Sequence, residues 1–162
     1  IYPINGNFTG LLAIVPRPRG GDWLELEVAA WKQAGLEVIV SLLTEDEMGE
    51  LDLSNEVDTC LRAGIRCLRF PITDRGLPES PVHCLELVKS LVAELRAGKG
   101  VGIHCRMGIG RSSVLAVCVL AATGVPVDIA WDKVARSRGI TVPDTSDQRN
   151  WVAEFAAERL KS

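Results

Sequence analysis

The chain has 162 residues, of which 47% are hydrophobic and 24% charged, with a formal net charge of −3. That length supports a single domain spanning 1–162, large enough to bury roughly 69% of its unfolded surface without a disulfide or metal staple. The composition excludes a disordered or fibrous chain, and a sequence pI near 5.4 excludes a broad polyanion-binding face, so no nucleic-acid partner is expected.

Ile1-Tyr2-Pro3 carries neither a basic nor a hydrophobic leader; no secretory signal is expected, and the missing initiator Met implies trimming. Leu11 to Val15 is an apolar run closed by Pro16-Arg17-Pro18-Arg19-Gly20-Gly21, which predicts a strand entering a turn. Asp22 is the expected N-cap of a helix ending at Gly35. Leu36 to Leu43, with Val38-Ile39-Val40 at its centre, predicts a strand covered on both faces, followed by an acidic turn at Glu45-Asp46-Glu47. Ser54 is the expected cap of a helix through Ala63, and Ile65 to Ile72 reads as a third strand broken by Asp74-Arg75-Gly76-Leu77-Pro78.

Pro81 suits a first helical turn, and apolar residues from Val82 to Leu95 keep helical spacing up to Gly98. Val101 to His104 predicts a fourth strand that feeds a glycine-bearing loop and an apolar helix from Ser112 to Thr123. Two more helices are expected at Val127 to Ser137 and Ser146 to Leu160, the last capped at Asp147 or just before it. Strands alternating with helices predict an α/β fold: a mostly parallel central sheet with helices on both faces, binding its ligand beyond the carboxyl ends of the strands. The longest apolar run, Val114 to Ala122, is half the length of a spanning helix, so no membrane partner is expected. Cysteines at 60, 67, 84, 105 and 118, without a CxxC pair and with only two histidines, predict reduced thiols in the cytoplasm and neither a metal site nor a cofactor. A monomer is expected.

Cys105-Arg106-Met107-Gly108-Ile109-Gly110-Arg111-Ser112 sets a thiol and a guanidinium on one loop between an apolar strand and a helix N-terminus. Backbone N–H groups of Arg106, Met107, Gly108, Ile109 and Gly110, with the helix dipole, make such a loop an anion cradle. Gly108 and Gly110 are expected to supply the backbone angles that let the donors converge. The same field favours a thiolate at Cys105, the form that attacks. Arg111 is a planar fork for two phosphoryl oxygens, and Ser112 is placed to donate its hydroxyl proton to the sulfur. Cys60 and Arg66 repeat the spacing, but with no strand before and no helix start after, so this copy is read as chance.

The whole segment His104 to Ser113 resembles the signature of the cysteine-dependent protein tyrosine and dual-specificity phosphatases. Phe70-Pro71-Ile72-Thr73-Asp74-Arg75-Gly76-Leu77-Pro78 is similar to the general-acid loop of the compact members, and Thr145-Ser146-Asp147-Gln148-Arg149 to their glutamine loop, most closely in the kinase-associated phosphatase group. The resemblance implies a protein-tyrosine-phosphatase-like fold and hydrolysis of phosphomonoesters on a phosphorylated protein or peptide, through a cysteinyl-phosphate. Low-molecular-weight phosphatases carry their signature at the N-terminus, which the position of Cys105 excludes. No Trp precedes the acid and no phosphotyrosine loop is recognisable, so tyrosine selectivity is not carried over.

A thiolate cannot by itself expel an alkoxide or phenoxide, and Asp74, in a Gly/Pro-bounded loop after the third strand, is the expected general acid. Asp144 is a weaker rival, and Asp147, also a rival, is better used as a helix cap. Gln148 is expected to orient the hydrolytic water. Glu45 or Glu47 is placed to pair with Arg111, and His104 to hydrogen-bond the loop backbone and tune Cys105. His83, Cys67, Cys118 and the tryptophans are assigned no chemistry. Competing readings are a phosphoinositide phosphatase, against which Met107 and Ile109 stand where Lys would suit; a rhodanese-like sulfur transferase, which needs no acid; and a phosphopeptide-binding module without turnover.

Overall fold

The computed structural model describes residues 1–161. Its centre is a five-stranded sheet in the order β1-β2-β5-β3-β4, formed by Tyr2–Ile4 (β1), Leu11–Ile14 (β2), Leu36–Ser41 (β3), Arg66–Arg69 (β4) and Gly100–His104 (β5). β2, β5, β3 and β4 run parallel; only the edge strand β1 is antiparallel, pairing Tyr2 with Ile14 and Ile4 with Leu12. The expected α/β architecture with a mostly parallel sheet is therefore present.

Among the described residues seven α-helices cover the sheet: α1 (Leu24–Gln33), α2 (Glu45–Glu50), α3 (Glu56–Arg62), α4 (Pro81–Arg96), α5 (Arg111–Ala122), α6 (Val127–Arg138) and α7 (Ser146–Arg159). Strand alternation sends side chains to two separate cores. Leu12, Ile14, Val38, Val40, Val101, Ile103 and Cys105 pack with α4 to α7, whereas Ala13, Val15, Leu36 and Ile39 pack with Trp31, Met48 and Cys60 from α1 to α3. Leu36 and Ile39 share a face although three residues apart, because a register shift between Leu36 and Val38 leaves Glu37 outside and restores the alternation. Every residue from Arg111 to Leu120 is buried. A helix closed to water on all sides is a core element, and α5 is wedged among α4, α6 and α7 beneath β2 and β5.

Several expected boundaries move. β1 was not anticipated: it is short, contains Pro3, and lies at an edge, where a missing N–H is tolerated. The acidic segment after β3 is a helix rather than a turn. Thr44 Oγ1 accepts from the Glu47 N–H at 3.3 Å while Glu47 Oε2 accepts from the Thr44 N–H at 2.9 Å, a capping box that starts α2. Asp22 caps nothing; it sits in a 3₁₀ turn over Gly21–Trp23, and α1 begins behind Trp23. Asn55 rather than Ser54 precedes α3, with no side-chain cap bond. At α7 the cap falls just before Asp147, the second of the two expected places: it is Thr145, again through a capping box, with Gln148 as the returning partner. The third strand closes at Arg69, although the Phe70 N–H and the Ile72 N–H still reach the Ser41 and Leu42 carbonyls at 2.9 and 3.0 Å. Among the described residues no helix is long and apolar enough to cross a membrane.

Candidate functional site

Because β2, β5, β3 and β4 are parallel, the chain segments leaving their carboxyl ends gather on one rim of the sheet. The segment after β5 turns from Cys105 to Gly110 into α5. Gly108 has φ +70°, a left-handed angle that side-chain-bearing residues adopt only under strain, and its N–H donates to Cys105 Sγ at 3.2 Å. Gly110 differs from expectation: its φ is −94°, so no special backbone angle demands glycine. A Cβ there would stand 2.9 Å from Gln148 Nε2 and closer still to the Asp144 carboxylate, so the missing side chain lets the turn before α7 close onto the loop. The N–H groups of Arg106, Met107, Ile109 and Gly110 meet no protein acceptor among the described residues.

Arg111, 2% exposed, is fixed by a bidentate pair with Glu47, Nη1 to Oε2 at 2.7 Å and Nη2 to Oε1 at 2.8 Å, and by an Nη1 bond to the Ile72 carbonyl at 2.8 Å. The capping box of α2 delivers Glu47 to this position. Burial pushes the Glu47 carboxyl up, but the hydrogen bonds from Arg111 and the Thr44 amide, with the Arg111 charge, outweigh it and hold it below the ordinary range. Burial likewise pulls Arg111 down, and the Glu47 hydrogen bond with the charges of Cys105, Glu47 and Asp74 more than restores it. Glu45 pairs instead with Arg69.

A carboxyl held low in the fold contributes stability above its unfolded value and loses it as pH falls through the folded one. Glu47→Gln strips the buried guanidinium of its counter-charge and is expected to cost about 3 kcal/mol. Urea unfolding as a function of pH checks this: the variant should be less stable at neutral pH and should lose less than the wild type on acidification through the low carboxylate range.

Asp74 is exposed, and its Oδ1 lies 3.4 Å from Arg111 Nη2. Its loop is tight, with the Gly76 N–H on the Thr73 carbonyl at 2.8 Å and Arg75 at φ 57°. Gln148, wholly buried, anchors that loop: its Nε2 donates to the Gly76 carbonyl at 3.2 Å, while Oε1 accepts from the Asp144 and Thr145 N–H groups at 3.1 and 3.2 Å. Thus Cys105, Arg111, Asp74 and Gln148 are brought to one place. Asp144 stands against Gly110, and Asp147 is exposed on the first turn of α7. Ser112 is buried, but its Oγ has no hydrogen-bond partner, so the expected bond to the sulfur is not formed here. Arg106 Nη1 reaches Glu50 at 3.0 Å, Met107 is 68% exposed at the rim, and Ile109 is half-buried against the α5 core.

His104 does touch the loop backbone, with Nδ1 3.4 Å from the Cys105 carbonyl, but its closer partner is Glu56, whose Oε1 is 2.5 Å from Nε2, both side chains being wholly buried beside the Trp31 ring. Two contributors had no sequence signal. Glu56 is one; Arg138 is the other, closing α6 with Nε on the Gly108 carbonyl at 2.7 Å and Nη2 on the Met107 carbonyl at 3.3 Å while its guanidinium lies 4.0 Å above the Tyr2 ring. The repeated spacing assembles nothing: Cys60 is buried in α3 and Arg66 pairs with Glu94. A hydrogen bond with Cys60 and burial push the Cys67 thiol up, and burial with Cys84 does the same to Cys118, so neither competes as a thiolate. The segments from β3 and β4 close a cleft of about 510 Å³ lined by Thr44, Glu45, Asp46, Thr73, Asp74 and Arg106.

A family model for cyclin-dependent kinase inhibitor 3 (CDKN3) matches residues 23–134. Human cyclin-dependent kinase inhibitor 3 is 29% identical over 126 residues, covering 76% of this chain but 59% of the relative, so the chain spans about three fifths of the length of the curated relatives it matches. Among solved structures, a kinase associated phosphatase with its catalytic-site cysteine replaced by serine superposes with a TM-score of 0.81 at 23% identity over 96% of both chains. The active form of Tk-PTP gives 0.75 at 25% identity over 97% of both. The sheet order and the strand-loop-helix around Cys105 are thus those of protein-tyrosine-phosphatase-like folds, and the match over residues 23–134 decides the grouping: the chain belongs to the cyclin-dependent kinase inhibitor 3 family.

Proposed function

We propose that this chain hydrolyses phosphomonoesters on phosphorylated proteins, phosphotyrosine and with it phosphoserine or phosphothreonine, with no preference assigned among them, through a cysteinyl-phosphate. One observation carries the reading: Arg111 opens the helix that follows the Cys105 loop and its Nη2 lies 3.4 Å from Asp74 Oδ1, so the guanidinium that ends the proposed nucleophile's loop meets the proposed acid. The phosphoryl group sits on the free loop amides. Arg111 Nε and the Nη2 hydrogen now shared with Asp74 are the donors left for two of its oxygens, while Glu47 keeps the fork in plane. The Cys105 thiolate attacks phosphorus, the P–O bond breaks, and the leaving oxygen takes the proton of Asp74. Water then attacks the cysteinyl-phosphate and gives its proton to Asp74, and the thiolate departs. The second Nε2 hydrogen of Gln148 is the group available to orient that water, and the Ser112 hydroxyl the one available to stabilise the sulfur as it leaves.

The exposed Met107 at the rim supports a peptide rather than an inositol polyanion, and the relatives' name, a kinase inhibitor, ties them to a protein partner. The reaction asks nothing of a metal. Phosphotyrosine, phosphothreonine and inositol phosphate substrates assayed with EDTA present form the test. Turnover of the phosphopeptides should be unaffected by chelation and blocked by vanadate, which mimics the five-coordinate phosphorus. Loss of activity with EDTA would transfer the case to a metallophosphatase, and faster turnover of inositol phosphates would overturn the protein substrate.

A further inference from the structure

The stretch that carries Asp74 has few ties to the body of the molecule. At its start the Ile72 N–H bonds the Leu42 carbonyl at 3.0 Å, and at its end Pro78 is buried. Between them the Gly76 N–H bonds the Thr73 carbonyl at 2.8 Å, which closes the turn on itself without fastening it to anything else. Asp74 adds little: its side chain is 66% exposed, and 3.4 Å to Arg111 is long for a charged pair. Among the described residues one further hydrogen bond reaches the turn from outside, the one from Gln148 Nε2 to the Gly76 carbonyl at 3.2 Å.

The Gln148 carboxamide has a single orientation. Its Oε1 accepts from the Asp144 and Thr145 N–H groups at 3.1 and 3.2 Å, and its backbone N–H bonds Thr145 Oγ1 at 3.1 Å, so the capping box of α7 fixes the side chain at its root and at its tip. Turned over, the amide would set donor against donor at Asp144 and Thr145, and acceptor against acceptor at Gly76. A Cβ on Gly110 would lie 2.9 Å from Nε2, so the same nitrogen also lies against the end of the Cys105 loop. One wholly buried amide thus stands between the turn that carries Asp74 and the loop that carries Cys105.

We infer that Gln148 is a positioning residue for the general acid: its bond to the Gly76 carbonyl latches the Asp74 turn over the Cys105 loop, beside the water-orienting task of its second Nε2 hydrogen. The inference rests on the phosphatase reading above. It gives one carboxamide a part in both half-reactions. Without the latch the turn is free to move, and Asp74 is out of place when the leaving oxygen needs its proton. An amide that only orients water acts after that oxygen has gone.

The two tasks separate in kinetics, because kcat/KM covers the steps through loss of the leaving alcohol and excludes the hydrolysis that follows. Gln148→Ala is expected to lower kcat/KM about tenfold on aryl phosphates with basic leaving groups, as loss of one hydrogen bond implies, and by no more than about twofold on activated ones. Placed beside Asp74→Asn it should lower kcat/KM by no more than about twofold on either class, since the acid it positions is gone. Gln148→Glu keeps the acceptor of the capping box and loses the donor; its added charge weakens every phosphate alike, so the ratio of poor to activated leaving groups is the quantity to read. That ratio should fall as in Gln148→Ala. Hydrogen exchange at the Gly76 N–H, followed without substrate, should be about tenfold faster in Gln148→Ala than in wild type.

A fall in kcat with kcat/KM unchanged on every substrate overturns the latch and leaves Gln148 with the water alone. Equal losses on all leaving groups that persist beside Asp74→Asn overturn it in favour of a purely structural role, and unchanged exchange at Gly76 overturns it as well. A wild-type protein that turns over no aryl phosphate ends the phosphatase reading itself, and the exchange at Gly76 then still reports whether the bond holds the turn.

Discussion

Cys105→Ser is expected to reduce turnover of an aryl phosphate by at least about 10³-fold while leaving the binding of tungstate or free phosphate within a few-fold of wild type. The asymmetry follows from where the two tasks sit. In the proposed mechanism oxyanion binding belongs to backbone amides and to Arg111, whose bonds to Glu47 and Ile72 do not involve the sulfur. Bond making is there assigned to the sulfur alone, and a serine hydroxyl in its place keeps its proton at neutral pH. Steady-state kinetics and oxyanion titration on the same preparation check both halves. Activity within tenfold of wild type would end the covalent mechanism.

Asp74→Asn is expected to lower kcat on aryl phosphates with poor leaving groups by the 10²- to 10⁴-fold typical of a lost general acid, and much less on activated ones, whose leaving oxygen needs no proton. A plot of log kcat against leaving-group basicity should be steep in the variant and nearly flat in the wild type. Asp144→Asn is the control that gives this meaning. Asp144 stands against Gly110, on the Gln148 side of the loop, whereas Asp74 reaches the Arg111 guanidinium. If Asp144→Asn or Asp147→Asn produced the steep plot and Asp74→Asn did not, the wrong carboxylate would have been chosen. If none of the three mattered, the sulfur-transferase reading would return, since it needs the Cys105 loop and no acid.

What could be read from the sequence was what is local. The core helix α5 and strand β5 announce themselves as apolar runs, and Cys105, two glycines and Arg111 lie close enough in the chain that the loop between them is written in one stretch. Asp74 and Gln148 were singled out largely because their segments resemble the family's general-acid and glutamine loops, and the structure joins those two segments by a bond from Gln148 to Gly76, 72 positions away. What escaped was made by partners distant in sequence or by short competing signals. Glu45-Asp46-Glu47 has the composition of a solvated turn, and only the reciprocal bonds with Thr44 make it a helix. Nothing near Arg138 or Glu56 advertises a site, because their partners are 30 and 48 residues away. Gly110 was read for its backbone angle, whereas what the structure shows there is the space its missing side chain leaves, not a special torsion angle.

Arg138 has one more effect, on how the loop responds to charge. In a trans peptide the C=O and N–H of one plane point in opposite directions. By drawing the Met107 carbonyl outward, Arg138 turns the N–H of the same plane inward, and that N–H is the Gly108 donor found 3.2 Å from Cys105 Sγ. Its bond to the Gly108 carbonyl orients the Ile109 N–H likewise. The peptide dipoles around the sulfur are therefore oriented before any ligand arrives, and in the proposed reaction a thiolate would meet, before attack and again as it departs, a field already in place, without the reorganisation that water would require.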